Sequence, residues 1–384
     1  MRIAYIYPAL NTVGGADRVV TERATYLSEK KHYEVFIITA HQNNHPLSFP
    51  ISSNVHHIDL NINFTKQYRY SLLQRGIIYF FLLREYKVRL GKTLQEIQAD
   101  ITISSISREM DFLGKLKDGS KKIAEANVAK PFLRNLQWLS DRGYLGRIAS
   151  KLWTYKLEKA VKRLDQFVVL THTDAEDWKK VRKATVIPNS VPFYPLQTIP
   201  SEEKVVISIG RMYPQKGFDR LIRTWKIVHQ KYPDWKLHIY GKGPYKEQYL
   251  SLIESCNLEK SVIIISPTAN IKEKYLASSF YVMSSRFEGF GMVLIEAMAC
   301  GLPVIAFDCP HGPREIISEG EDGFLVEEGN TEALAEKIIF LIEHKSIRQQ
   351  MGQNARKNVL RYSQEKVMNQ WINLFHSLTD KYIQ

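Results

Sequence analysis

Short apolar runs and helix-length stretches alternate along this chain, and they do so twice, on either side of a proline-rich break. The first run, Arg2–Tyr7, is short and apolar, as a central parallel strand should be. A loop over residues 11–15 leads into a helix from about 16 to 30. Strands are expected at 35–39, 101–105, 122–124 and 166–170, with long helical regions at 68–98 and about 134–163 between them. Residues 187–200 then carry Pro188, Pro192, Pro195 and Pro200. That density opposes helix and central strand alike, so the segment reads as a linker. The rhythm restarts with strands at Val205–Ile209, Lys236–Tyr240, Val262–Ile265, Phe280–Met283 and Val304–Phe307. Helices are expected at 218–232, 245–256, 292–300 and Thr331–Glu343. A βαβα order of this kind predicts an α/β fold of two Rossmann-like domains facing a cleft, with ligands at the carboxyl ends of the strands. The expected domains are 1–187, a linker at 188–203, 204–362, and a final helix at 363–384. A length of 384 residues exceeds the usual limit of a single core.

Composition narrows the function only partly. Lys and Arg number 53 against 40 Asp and Glu, a formal charge of +13. Such a surplus attracts anions, whether nucleic acid, an acidic membrane surface or phosphorylated small molecules. Cys256, Cys300 and Cys309 form no CxxC pair, which fits reduced, structural thiols in a cytoplasmic protein. The opening residues read as a buried strand rather than a signal peptide, and the longest apolar run, 77–83, is too short to span a bilayer.

Several motifs fall where strands give way to helices. Gly14-Gly15 would let backbone approach a ligand beside a helix N-terminus, but the pattern is not GxGxxG, and a ligand-free turn is the alternative. In Gly210-Arg211-Met212-Tyr213-Pro214-Gln215-Lys216-Gly217, Arg211 and Lys216 stand at the two ends of a strand-to-helix connection. Two cations there can hold a diphosphate; a solvated basic turn is the plainer reading. Gly241-Lys242-Gly243-Pro244 reads as ordinary turn chemistry. The densest signal is Glu288-Gly289-Phe290-Gly291-Met292 followed by Glu296. Glu288 sits in a glycine-rich loop, and a helix begins near Met292. Glu296 lies one turn in, amid apolar residues, where a carboxylate needs a partner such as a ligand hydroxyl. The first N–H groups of that helix, from Phe290 to Met292, could take a phosphate.

That stretch resembles the EGFG…E segment of the retaining glycosyltransferases of family four, which have the GT-B fold. The Arg211/Lys216 spacing, Gly14-Gly15 and Cys309-Pro310-His311-Gly312-Pro313-Arg314-Glu315-Ile316 resemble that family as well, the last in a form common among bacterial surface-polysaccharide enzymes. The resemblance implies that Glu288 contacts the donor sugar's hydroxyls, Glu296 the ribose hydroxyls, and Arg211 with Lys216 the diphosphate. It implies that Gly15 approaches the phosphates or the acceptor and that residues 266–270, with Ser266 and Thr268, lie near the base. It also implies a C-terminal helix crossing back to the first domain. One departure stands out. Where many relatives carry a His, this chain reads Ala124-Glu125-Ala126-Asn127-Val128, and Asn127 cannot act as a general base. Retaining transfer in which the leaving phosphate helps to deprotonate the acceptor survives that change.

No HExxH, Cys/His cluster or DxD is present, so no metal and no cofactor are expected; the resemblance to GT-B enzymes implies that cationic side chains and helix N-termini take over the metal's charge role. Residues 61–92 hold seven basic residues, one acid and seven aromatics, and 121–163 hold eleven basic and three acidic residues. Such helices can lie on an anionic bilayer, or can be core helices with a solvated basic face. The expected function is transfer of a sugar, from a nucleotide sugar and most simply a UDP-sugar, to a glycan or polyprenyl-diphosphate-linked acceptor in cell-surface polysaccharide synthesis. The expected site is the inner face of the cytoplasmic membrane, reached through the basic N-terminal domain, with no nucleic-acid partner. The alternatives are a non-catalytic nucleotide-sugar or membrane-binding relative and, more weakly, a Rossmann oxidoreductase.

Overall fold

The computed structural model describes residues 1–11, 14–135, 143–198 and 203–379. The chain divides into two compact units, Met1–Pro188 with Met368–Gln384, and Asn189–Val367. Parts of the expected loop at 11–15, helix at 134–163, linker at 188–203 and final helix at 363–384 lie outside the described residues.

The first unit contains β1 (Arg2–Tyr7), α1 (Gly15–Lys31), β2 (Glu34–Thr39), β3 (Val55–Asp59), α2 (Leu72–Ile97), β4 (Ile101–Ser104) and β5 (Lys121–Ala126). It continues with α3 (Tyr144–Val161), β6 (Gln166–Val169), α4 (His172–Trp178) and β7 (Thr185–Val186). All strand pairs are parallel, in the order β3-β2-β1-β4-β5-β6-β7. β1 is buried at five of its six positions because helices cover both faces, which is why it reads as a continuous apolar run rather than an alternating one. β3 and β7 were not expected. β3 reads Val-His-His-Ile-Asp, with only two apolar residues, and β7 is two residues long. β5 runs to Ala126, two residues past the expected end, and so carries Glu125 into the sheet.

The second unit contains β8 (Val205–Ile209), α5 (Phe218–Lys231), β9 (Lys236–Tyr240), α6 (Lys246–Ser255), β10 (Val262–Ile265), α7 (Ile271–Leu276), β11 (Phe280–Met283) and α8 (Met292–Ala299). β12 (Val304–Phe307), α9 (Pro313–Ile316), β13 (Gly323–Val326), α10 (Thr331–Glu343) and α11 (Lys345–Asn358) follow. The parallel order is β10-β9-β8-β11-β12-β13. α5 buries Phe218, Leu221, Ile222, Trp225 and Val228, a stripe at helical spacing, and α10 answers with Leu334, Ala335, Ile338 and Leu341. The proline-rich segment is not loose chain where it is described: Val191 N–H donates to the Tyr362 carbonyl, and the Arg356 guanidinium lies 4.0 Å over the Tyr194 ring.

The last helix, α12 (Gln364–Thr379), begins in the second unit and from Met368 belongs to the first. Its Trp371 is fully buried, with the Arg23 guanidinium of α1 4.2 Å from the ring centroid. The same guanidinium makes a bidentate pair with Glu125 of β5, at 2.9 and 2.8 Å, with both side chains almost wholly buried. Burial opposes the charge on Arg23, and the Glu125 carboxylate overcomes that effect and holds the arginine protonated. Removing one member of such a pair strands the other. Arg23→Ala is therefore expected to cost about 3–5 kcal/mol, read by urea unfolding. A loss under about 1 kcal/mol would equate the pair with an ordinary surface one.

Candidate active site

In the second unit the strand order reverses between β8 and β11, and in such sheets ligands bind outside the carboxyl ends at that point. The connections leaving those two strands are laced together. Gly217 has φ +63°, and a Cβ there would collide with the Ser284 carbonyl oxygen, so only glycine allows the two backbones to approach. The Ser284 hydroxyl donates to the Lys216 carbonyl at 2.9 Å, and Arg286 N–H to the Gln215 carbonyl at 2.8 Å. The Arg286 guanidinium forks onto Asp219 of α5 at 2.9 and 2.7 Å and also donates to the Pro214 carbonyl at 2.6 Å.

That lacing sets one ion pair. The Lys216 ammonium lies 2.6 Å from Glu288 Oε1, and the Ser285 hydroxyl donates to the same oxygen at 2.6 Å. Glu288 is 7% exposed, so its charge depends on these partners. Lys216, expected on a diphosphate, is thus engaged by the sugar-contact candidate itself. Arg211, at the other end of the connection, is exposed and lies 5.7 Å over the Tyr213 ring. Gly241-Lys242-Gly243-Pro244 is structural: the Met212 N–H donates to the Lys242 carbonyl, and Gly241 packs against the Gly210 carbonyl.

Glu296 of α8 accepts a hydrogen bond from the Tyr275 phenol at 2.9 Å. Tyr275 is fully buried on α7, with Phe193 and Tyr281 against its ring. The carboxylate amid apolar residues has therefore found a phenol, which nothing local in the sequence announces. Gly291 has φ +101° and precedes Met292, the first residue of α8. The Phe290 ring is buried edge-on against Tyr362, 5.4 Å between centroids. Ser266 and Thr268 lie beyond β10, the edge strand two places from β8, where Thr268 Oγ1 accepts from Asn270 N–H. All three cysteines are free thiols. Burial, and then the charge of Glu296, push Cys300 up to about 12, which leaves it inert at neutral pH.

In the first unit, Gly14 caps α1 with extended backbone, φ −130°, so its conformation does not require glycine. Gly15 is the first residue of that helix. The Tyr7 phenol at the end of β1 donates to Asp17 at 3.0 Å. Asn127 is half-buried just beyond β5, and the acidic residue beside it, Glu125, is the one taken by Arg23.

Residues 196–358 match the family model described as glycosyl transferases group 1. The chain is 29% identical over 376 residues to an uncharacterized glycosyltransferase of Haemophilus influenzae, covering 96% of this chain and 98% of that protein. It is 35% identical over 233 residues to the amylovoran biosynthesis glycosyltransferase AmsD of Erwinia amylovora, covering 59% of this chain and 64% of AmsD, just under two thirds of its length. Among solved structures, a Staphylococcus aureus TarM mutant in complex with fondaparinux, alpha-GlcNAc-glycerol and UDP has a TM-score of 0.76 at 18% identity, over 97% of this chain and 99% of that one. That last likeness is one of fold. Residues 196–358 are thus similar to a group 1 glycosyl transferase domain, and the fold, two Rossmann-like units of parallel sheet, is GT-B.

The Arg286–Asp219 fork carries a pH signature. Burial pushes the Asp219 carboxyl up, but the hydrogen bonds and charge of Arg286 outweigh it and hold the group below its ordinary 3.8. Its contribution to stability is therefore complete above pH 3.8 and is lost as pH falls through the lower, folded value. Asp219→Asn should be less stable at neutral pH and should lack that component of the acid limb. Superimposable acid-unfolding curves for the two proteins would contradict this.

Proposed function

We propose that the chain transfers a sugar, with retention of anomeric configuration, from a UDP-sugar to a glycan or polyprenyl-diphosphate-linked acceptor during cell-surface polysaccharide synthesis. The reaction would take place at the inner face of the cytoplasmic membrane. The observation that carries the reading is the Lys216–Glu288 contact of 2.6 Å at the carboxyl ends of β8 and β11, inside the stretch similar to a group 1 glycosyl transferase domain. The UDP and alpha-GlcNAc-glycerol bound by TarM support the donor and the retained configuration by analogy of fold alone.

Glu288 is assigned to the donor sugar's hydroxyls, Arg211 and Lys216 to the diphosphate, and Glu296 to the ribose. Ser266 and Thr268 are assigned to the base, and the backbone at Gly291 and Met292 to a phosphate oxygen. Gly15 is assigned to the donor's phosphates or the acceptor, and Gly14 and Asn127 to the acceptor side. As the bond from the anomeric carbon to the phosphate oxygen breaks, negative charge grows on the leaving diphosphate, and two fixed cations lower the energy of that state. The bond to the acceptor oxygen forms on the same face, and the acceptor's proton passes to the departing phosphate. Asn127 cannot take it. No metal and no cofactor enter this scheme, and turnover should persist in excess EDTA.

Asn127 also motivates the second reading, a relative that binds nucleotide sugars without turning them over. A donor panel decides between them: binding is scored by thermal shift, and turnover by release of nucleoside diphosphate in the presence of membrane extract. Glu288→Ala should lower transfer by about 100-fold or more while the protein stays folded. Undiminished transfer would remove Glu288 from the site. Tyr275→Phe keeps the ring and deletes the hydrogen bond to Glu296. A bond to a charged group contributes about 1.5–3 kcal/mol, so the donor KM should rise roughly tenfold or more with kcat little changed. An unchanged KM would separate Tyr275 from donor binding.

A further inference from the structure

Two helices of the first unit turn apolar stripes outward. On α2, Ile77, Phe80, Phe81 and Val88 are 60–64% exposed, and their spacing of three, four and seven puts them on one face. On α3, Tyr144, Ile148, Leu152 and Tyr155 recur at four, four and three, with Leu152 and Tyr155 each 64% exposed. A helix at the surface needs one apolar stripe, turned to the core, which α2 supplies with Tyr86, Leu90 and Leu94 and α3 with Leu157 and Val161; the outward residues are additional to it. Both helices pack on the same short turn after β4, Arg108–Asp111, and Lys156 of α3 is tied to Asp111 at 2.7 Å. The two helices that carry the stripes thus flank one small piece of the fold.

The charges between the stripes are one-sided. The carboxylates on these helices are engaged: Glu85 with Arg89, Glu96 with Lys92 at 3.7 Å, and Glu158 with Lys130 at 3.0 Å. Among the described residues, no carboxylate lies within ion-pair distance of Arg84, Lys87, Arg147, Lys151 or Lys159. A second copy of this face would set these cations against their like, which disfavours self-pairing. A surface that is apolar just below its boundary and anionic at it satisfies both features, and a bilayer with acidic headgroups is such a surface. No described helix is long and apolar enough to cross a membrane, so the contact would be peripheral.

We propose that α2 and α3 together dock the chain on an anionic phospholipid bilayer. Phe80, Phe81 and Leu152 enter the headgroup boundary, while Arg84, Lys87 and Lys151 meet lipid phosphates. The proposal deepens the peripheral placement suggested above and is independent of which sugar is moved. Its test therefore uses no donor. The full chain is floated with vesicles of phosphatidylcholine alone and of phosphatidylcholine with phosphatidylglycerol. Flotation is expected with the anionic vesicles only, and it should weaken at about 1 M salt, where the Debye length is about 3 Å. The double substitution Phe80→Ser with Phe81→Ser should lower partitioning by roughly tenfold or more, with the melting temperature unchanged. Arg84→Glu with Lys87→Glu should do the same. Three results would overturn the proposal: no flotation with anionic vesicles at low salt, equal flotation of wild type and both variants, or a concentration-dependent dimer that Phe80→Ser with Phe81→Ser abolishes. Turnover with a soluble acceptor, measured on the same variants, separates failure of docking from failure of the transferase reading.

Discussion

In a parallel sheet each connection must cross one face and return to the start of the next strand, and the right-handed crossover decides which face. A sheet that grows outward from its middle in both directions therefore contains one pair of neighbouring strands whose connections part company. In the second unit that pair is β8 and β11. Lys216 and Glu288 are 72 positions apart, and this reversal brings their connections side by side. The glycine at 217, the Arg286 fork and the Ser284 hydroxyl are local means of holding two already adjacent loops at a fixed spacing. The ion pair depends on topology first and on those contacts second.

Much of this was legible in the residues. Alternating apolar runs and helical stretches give the two doubly wound sheets, because strands covered on both faces have no room for polar residues. The glycine-rich loop and the two glutamates eight positions apart mark the ligand end of β11. The partners of those groups were not legible. Tyr275 is 21 positions from Glu296, Asp219 is 67 from Arg286, and Glu125 is 102 from Arg23. Each is an ordinary residue in its own neighbourhood, and its role comes from a fold that no local pattern encodes. Phe290 has a side-chain role that the motif did not announce. The motif reading concerned its backbone N–H; its ring anchors the loop in the core, against Tyr362. Composition likewise marked the regions of α2 and α3 as basic, but not which way their apolar residues face.

Asn127 and Glu125 are best considered together. The acid next to the missing histidine is not waiting for a catalytic partner; it neutralises a buried arginine that also stacks on Trp371. On β5, Glu125 serves packing of the first unit. In the proposed reaction, acceptor deprotonation would therefore fall to the substrates rather than to Glu125 or Asn127.

The same cluster bears on how the chain reaches its native state. The first unit is discontinuous: Arg23 and Glu125 are made early, but the indole that covers them lies on α12. During synthesis from the N-terminus, the second unit has its full set of strands and helices once residue 367 has emerged. The unit begun first must still wait for that helix. Until then a charged pair meant for a dry interior has one side open to water. The order of translation and the order of completion are thus reversed. The nascent protein carries an unfinished N-terminal unit until that helix emerges, where a chaperone can reach it.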